Sequence, residues 1–146
     1  QEDMYKARRI RKIFGGALRQ AGIVAAAAVY ALDHHVDRIQ EDHDNAQTFA
    51  QIVAEIPGIT LDPKEVQTNL VFFEVSPKLG NAGQLSAKLK QLGVLINSTA
   101  PQRLRACTHL DVSRADALKA AHLVAQAVKE GFRDLAGSLT GPYARG

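Results

Sequence analysis

The feature that most constrains the fold is an uncharged run over residues 20–32, which directly follows a strongly basic segment. Its core, IVAAAAVYAL, is apolar at nearly every position, a pattern typical of a helix that is packed on most of its circumference. The run is shorter than the about 20 residues that span a bilayer. It also lacks the terminal position of a signal peptide. We therefore expect a buried connecting helix, no membrane partner and no secretion signal.

The basic segment is confined to the beginning of the chain, where Glu2 and Asp3 alone oppose it. Because the net charge is only +3, this basicity describes a local site or surface and not the whole chain. The apolar spacing predicts an amphipathic helix over about residues 3–14 and a second helix from Ala17. The basic residues of this segment are Lys6, Arg8, Arg9, Arg11, Lys12 and Arg19.

A pair of glycines, Gly15 and Gly16, separates the two predicted helices. Adjacent glycines allow close backbone approach, and a helix that begins immediately afterwards points its free N–H groups toward Lys12 and Arg19. This combination suits a phosphate. A solvated basic helix that ends in a flexible turn explains the same residues, since no Walker loop or dinucleotide fingerprint is present.

The rest of the chain alternates helices and strands. A surface helix with apolar positions at Val36, Ile39 and His43 runs to Pro57-Gly58, and the Ser113 and Asp116 pair predicts the start of the last helix. The order of elements predicts an α+β fold, mostly antiparallel, with helices on one side of the sheet. We expect strands at 59–61, 70–75, 94–96 and 103–107, helices at 82–92 and 113–132, and a disordered tail at 134–146.

Composition limits the function further. The chain has 146 residues, enough for one ordinary core, and a single cysteine, Cys107, which fits a reducing compartment such as the cytosol. We expect Cys107 to be a packed thiol. The five histidines have no convincing metal spacing, so no metal site is expected. Aromatic residues are 5% of the chain, which argues against a base-stacking surface and hence against a nucleic-acid partner.

The short strand RLRAC carries the second candidate site. Strand alternation puts Arg103, Arg105 and Cys107 on one face. An arginine on an interior strand needs an acceptor, and a planar guanidinium suits a carboxylate. If the strand lies at the edge of the sheet, the arginines instead point into water.

Four segments together resemble a known family, the low-specificity threonine aldolases. They are RKIFGGALRQAGIVAAAAVYALDHHVDRIQEDHDNA, VQTNLVFFEV, GVLINS and RACTHLDVS. The resemblance covers the chain up to about Val128 and places it in the C-terminal part of these pyridoxal-phosphate (PLP) enzymes of the aspartate-aminotransferase fold, fold type I. It implies a fragment of a lyase that cleaves threonine or allo-threonine to glycine and acetaldehyde.

The resemblance also implies an organisation. Residues 1–16 would end the large PLP domain, residues 17–35 would form the connecting helix and residues 36–133 the small C-terminal domain. The family's Schiff-base lysine lies before the matched segment, and neither Lys6 nor Lys12 stands in its sequence context, so we expect no catalytic residue in this chain. The implied partners are an amino-acid substrate, the N-terminal large domain and further copies in a homotetramer.

The site residues follow by analogy with the family. Arg105 matches the arginine that binds the substrate α-carboxylate, and Lys12, Arg19, Gly15 and Gly16 match positions near the cofactor phosphate, with Ala17 where the family often has a third glycine. A related transaminase or serine hydroxymethyltransferase fits the GGALRQ and THLDV runs less well. From another class, a non-catalytic module could bind an anionic partner through the basic helix, with steep salt dependence.

Overall fold

A computed structural model describes residues 1–137 of the chain. The chain divides into two compact units, Gln1–Arg38 and a second unit that begins at Ile39. No helix within residues 1–137 is long and apolar enough to cross a membrane. The elements are α1 (Glu2–Ile13), α2 (Gly22–His34), α3 (Ile39–Ala54), β1 (Ile59–Thr60), β2 (Leu70–Val75), α4 (Ala82–Gln91), β3 (Asn97–Ala100), β4 (Arg103–Cys107) and α5 (Arg114–Glu130), with a 3₁₀ turn at Pro63–Glu65.

The two glycines of the first unit terminate α1. Gly15 has φ +78°, a conformation that glycine adopts without steric cost. Its N–H donates to the carbonyl of Lys12 at 3.2 Å, and the N–H of Gly16 donates to the carbonyl of Arg11 at 2.8 Å. These two bonds form the Schellman motif that satisfies the last carbonyl groups of a helix. The two glycines therefore explain why α1 ends at this point.

The second helix begins later than predicted. It starts at Gly22 and not at Ala17, because Gln20 has φ +54°, which is incompatible with a right-handed helix through this residue. None of the residues of α1 or α2 is buried. The apolar side chains of α2, such as Ile23 at 87% exposure, therefore lack the cover that the uncharged run predicted.

The second unit is built on one antiparallel sheet, and within residues 1–137 its strand order is β1-β2-β4-β3. Burial alternates along β2: Val71, Phe73 and Val75 are buried, while Leu70 and Phe72 are partly exposed. This alternation is expected of a sheet with one face against a core and the other open. We call the second face the open face; it carries Leu70, Phe72 and Glu74 of β2 with their partners Cys107, Arg105 and Arg103 of β4.

Helices α3, α4 and α5 cover the other face, as the sequence predicted. Phe73 and Leu104 of the central strands are almost fully buried and belong to the same apolar cluster as Leu85 and Leu89 of α4. Burial of each such side chain contributes about 1.5–3 kcal/mol. The sheet and the three helices thus enclose one core.

Gln84 joins two segments at the start of α4. Its backbone N–H donates to the side chain of Asn81 at 2.9 Å, and its side-chain oxygen accepts from the backbone N–H of Asn81 at 2.9 Å, which completes a capping box. The side-chain nitrogen of Gln84 donates to the carbonyl of Arg133 at 2.6 Å. The chain beyond α5 is therefore held against the beginning of α4.

Several predicted details are wrong. The third strand is Asn97–Ala100 and not 94–96, because pairing with β4 and not apolarity selects the strand. Val36 and Ile39 are exposed, and Asp42 and Asn45 are buried in their place. The buried positions of α5 are Ala117, Ala121, Val124 and Ala127, and the helix ends at Glu130 and not at residue 132. Most of the predicted tail, residues 138–146, lies outside the described residues.

Candidate functional site

Arg105 lies on an interior strand of the sheet. It is the middle residue of β4, which pairs with β2 on one side and with β3 on the other. Its direct cross-strand neighbours are Phe72 and Asn97. Because directly opposed residues share a face, all three side chains belong to the open face. The edge-strand alternative is therefore wrong, and Arg105 is half-buried.

Arg103, two residues earlier, has different surroundings. Its guanidinium carbon lies 4.8 Å from the ring centroid of Phe72, within the range of a cation–π contact. Its direct partner on β2 is the acidic Glu74. Arg105, in contrast, has two uncharged neighbours, and within residues 1–137 no carboxylate pairs with it. Of the two arginines, Arg103 has an acidic cross-strand neighbour and Arg105 does not.

The backbone just beyond β4 is held by a group of hydrogen bonds, one of them fully buried. The N–H of Thr108 donates to the carbonyl of Asn69 at 3.0 Å, and the side-chain nitrogen of Asn69 donates back to the carbonyl of Thr108 at 2.8 Å. Thr108 Oγ1 also donates to the carbonyl of Asp42 at 2.6 Å. Asn45 Nδ2 donates to the carbonyl of Val112 at 3.0 Å. Together these bonds fix both ends of the loop that follows the Arg105 strand.

The structure changes the expectation for Cys107. Its thiol is exposed on the open face, and not packed, because β4 places it on the same side as Arg103 and Arg105. Asn69 Nδ2 lies 3.4 Å from its sulfur. Within residues 1–137, no group of three His, Cys, Asp or Glu side chains could hold a metal ion.

The predicted phosphate site lies in the first unit. The N–H groups of Gly15 and Gly16 are both used by the Schellman motif, so these amides are not free to bind a phosphate. The start of α2 is separated from Gly16 by five residues and has no side-chain cap. Lys12 and Arg19 are exposed, and within the described part of the chain neither forms an ion pair. Any anion binding here would therefore depend on these two side chains.

Asn97 and the buried pair Asp42 and Asn45 were missed as candidates from the sequence. Asn97 stands at the end of GVLIN, outside the strand that the apolar residues predicted. Asp42 and Asn45 bond to residues more than sixty positions away. All three residues lie in segments that carry the family resemblance, DHDNA and GVLINS, and this was the signal that the sequence offered.

The sequence is similar to that of curated threonine aldolases. It is 45% identical over 109 residues to the low specificity L-threonine aldolase of Escherichia coli (strain K12), which covers 75% of this chain and 31% of that protein. It is 34% identical over 113 residues to a probable low-specificity L-threonine aldolase 2 of Arabidopsis thaliana, with 76% and 32% covered. The chain spans about a third of the length of these relatives. The resemblance seen in the sequence is thereby confirmed.

Two solved structures share the fold. MppP soaked with the product 2-ketoarginine superposes with a TM-score of 0.54 at 14% identity, over 68% of this chain and 30% of that one. An ornithine aminotransferase from Plasmodium yoelii gives 0.52 at 13% identity, over 63% and 24%. The predicted fold class, α+β as in fold type I enzymes, is confirmed. Residues 1–76 match the sequence model of the beta-eliminating lyase family. The chain belongs to the beta-eliminating lyase family.

Proposed function

We propose that this chain supplies the substrate-carboxylate site of a PLP-dependent aldehyde-lyase that cleaves threonine or allo-threonine to glycine and acetaldehyde. The observation that carries the proposal is the position of Arg105, a half-buried residue at the centre of the open face and without a carboxylate partner in residues 1–137. The similarity to threonine aldolases supports the choice of substrate.

Arg105 would bind the α-carboxylate of the amino acid through two parallel N–H···O bonds. A carboxylate held in this way fixes the rotation of the substrate about its Cα, which determines the bond that can break. PLP, when bound, supplies the electron sink for the carbanion that C–C cleavage produces. Phe72, directly opposite Arg105 on β2, adds an apolar side chain to the same face.

Lys12 and Arg19 are the residues that we propose for the cofactor phosphate. Both are cationic, exposed and without an ion pair in the described part of the chain, which fits an anionic ligand. The Gly15-Gly16 pair would act by ending α1 between them, since its N–H groups are occupied. The residues that complete the cofactor site would come from the part of the protein outside this chain.

The same proposal gives each segment of the chain a place in the full-length enzyme. Residues 1–16 would close the large PLP domain, residues 17–35 would connect the domains and residues 36–133 would form the small domain, in a cytosolic homotetramer. The exposed apolar residues of α2 support association with other protein surface, because an uncovered apolar helix is unstable in water.

The test uses the full-length enzyme with Arg105→Ala, Arg105→Lys and Arg103→Ala. We expect Arg105→Ala to weaken threonine binding by about 2–5 kcal/mol, since the carboxylate loses its partner. Arg105→Lys should recover only part of this, because an ammonium cannot form the two parallel bonds. Arg103→Ala is the matched control and should have a small effect. Unchanged threonine affinity in Arg105→Ala would refute the role of Arg105.

A second candidate function is favoured by the exposed cations of α1. A non-catalytic module would bind an anionic partner through this basic helix, without a cofactor. It predicts that the 146-residue chain alone binds an acidic polypeptide, and that binding weakens steeply with salt. Loss of that binding in a Lys12 and Arg19 double alanine variant, together with no PLP absorption in the longer protein, would favour this function over the lyase.

A further inference from the structure

We infer that the side-chain amide of Asn97 is a second donor to the substrate carboxylate, next to Arg105; the inference rests on the proposed function. Asn97 of β3 and Arg105 of β4 are direct partners in an antiparallel pair. The Cβ atoms of such partners lie about 4.5–5.5 Å apart, and their side chains project from the same face. One ligand carboxylate can therefore contact both side chains.

The Asn97 amide is available for a ligand. Its side chain is exposed, and among residues 1–137 it has no hydrogen-bond partner. The backbone around it is held nevertheless. Ser86 Oγ donates to the carbonyl of Ile96 at 2.6 Å, and Ser98 is completely buried. Because the backbone is already held, ligand binding would have to order only the Asn97 side chain, which lowers the entropic cost of binding.

The chemistry of the pair fits a carboxylate. Two carboxylate oxygens offer about four lone-pair sites, and a guanidinium that binds with two parallel bonds uses only two of them. An amide N–H₂ group can donate to a remaining lone pair. It also carries no charge, so it does not neutralise Arg105 in the absence of substrate.

The neighbouring arginine provides the contrast. Glu74, an acid, stands directly opposite Arg103, whereas the amide Asn97 stands opposite Arg105. An acid at position 97 would place a permanent carboxylate where the substrate's carboxylate is expected. The aspartate substitution is therefore the sharper variant, because it tests the position through competition and not only through loss of a bond.

The experiment measures the affinity of the full-length enzyme for glycine, the proposed product, and for glycinamide, which lacks the carboxylate. The variants are Asn97→Ala, Asn97→Asp and Arg105→Ala. Thr60→Asp is the matched control, because it adds the same charge to an exposed position of β1, two strands from Arg105. We expect Asn97→Ala to weaken glycine binding by about 10-fold to 100-fold and to leave glycinamide binding unchanged. Asn97→Asp should weaken glycine binding further, and Thr60→Asp should not.

Three results would overturn the inference. In the first, Asn97→Ala binds glycine as the unmodified enzyme does, while Arg105→Ala binds it more weakly; the inference then fails and the proposed function stands. In the second, Asn97→Ala weakens glycine and glycinamide equally, which indicates a general structural effect. In the third, Arg105→Ala leaves glycine affinity unchanged, and then the role of Arg105 and the inference both fail.

Discussion

Thr108 Oγ1 donates a hydrogen bond of 2.6 Å to the backbone carbonyl of Asp42, and this bond joins the end of β4 to α3. Both residues are buried. The bond connects the THLDV run with the DHDNA run, which lie far apart in the sequence. The two runs are therefore joined directly after the strand that carries Arg105.

We expect Thr108→Val to destabilise the protein by about 1–3 kcal/mol. The substitution keeps the shape of the side chain but leaves the buried carbonyl of Asp42 without this donor. Urea unfolding of the full-length protein measures the change, and amide hydrogen exchange of residues 108–112 localises it.

Thr60→Val is the control for this prediction. It makes the same chemical change at an exposed strand position whose hydroxyl has no hydrogen bond to another residue of 1–137. If Thr108→Val were no more destabilising than Thr60→Val, the bond to Asp42 would not contribute measurably to stability.

Gly15→Ala should destabilise α1 by about 1 kcal/mol, whether or not phosphate is present. The cause is the φ of +78°, which a Cβ atom makes unfavourable, and not a clash, because an added Cβ would meet no atom within 4 Å. Gly15→Asn should cost less, since asparagine tolerates this conformation. Hydrogen exchange of the amide of residue 16 reports the opening of the motif.

A different outcome would indicate that the two glycines contact the cofactor. If Gly15→Ala left that exchange unchanged and weakened the affinity for PLP, the pair would serve the cofactor directly. Comparing the variants with and without PLP separates the two roles.

The capping box of α5 predicts a dependence on acid pH. The Ser113 hydroxyl and then its backbone N–H donate to the Asp116 carboxylate and lower the pKa of that carboxyl below its ordinary value of 3.8. A lowered folded-state pKa means that the stabilisation is present above the ordinary pKa and is lost as the pH falls through the lowered one. We expect Ser113→Ala to raise the pKa of Asp116 and to reduce this acid dependence.

NMR titration of the Asp116 carboxyl carbon measures that pKa directly. Ser113→Thr keeps a hydroxyl in the same place and should preserve the low value. An Asp116 pKa that stayed low in Ser113→Ala would show that another group is responsible.

The sequence predicted the elements that have a local signal. LVFFEV is rich in branched and aromatic residues, RLRAC alternates along its length, and Ser113 with Asp116 marks a helix start. Each was found at or near its observed bounds. The face that carries Arg105 followed from the same alternation. These features depend on the residues within one element, which is why one sequence is enough to find them.

The missed features depend on distant partners. The strand Asn97–Ala100 is polar and exists through its pairing with β4, while the apolar residues before it include Leu95, which is 80% exposed. Asn45 donates from its side chain to the carbonyl of Val112, and the backbone carbonyl of Asp42 accepts from Thr108, both more than sixty positions away. For the candidate site, alternation placed Arg103 and Arg105 on one face and the family resemblance selected Arg105, but only the register of the sheet identified Asn97 as its neighbour.

The side chain of Gln84 has a consequence for how the second unit opens. It caps α4 through Asn81 and at the same time holds the carbonyl of Arg133 beyond α5. Detachment of the segment after Glu130 therefore removes a restraint from the cap of α4, and fraying of α4 releases that segment. We expect these two stretches of chain, distant in sequence, to exchange their amide hydrogens as one cooperative unit.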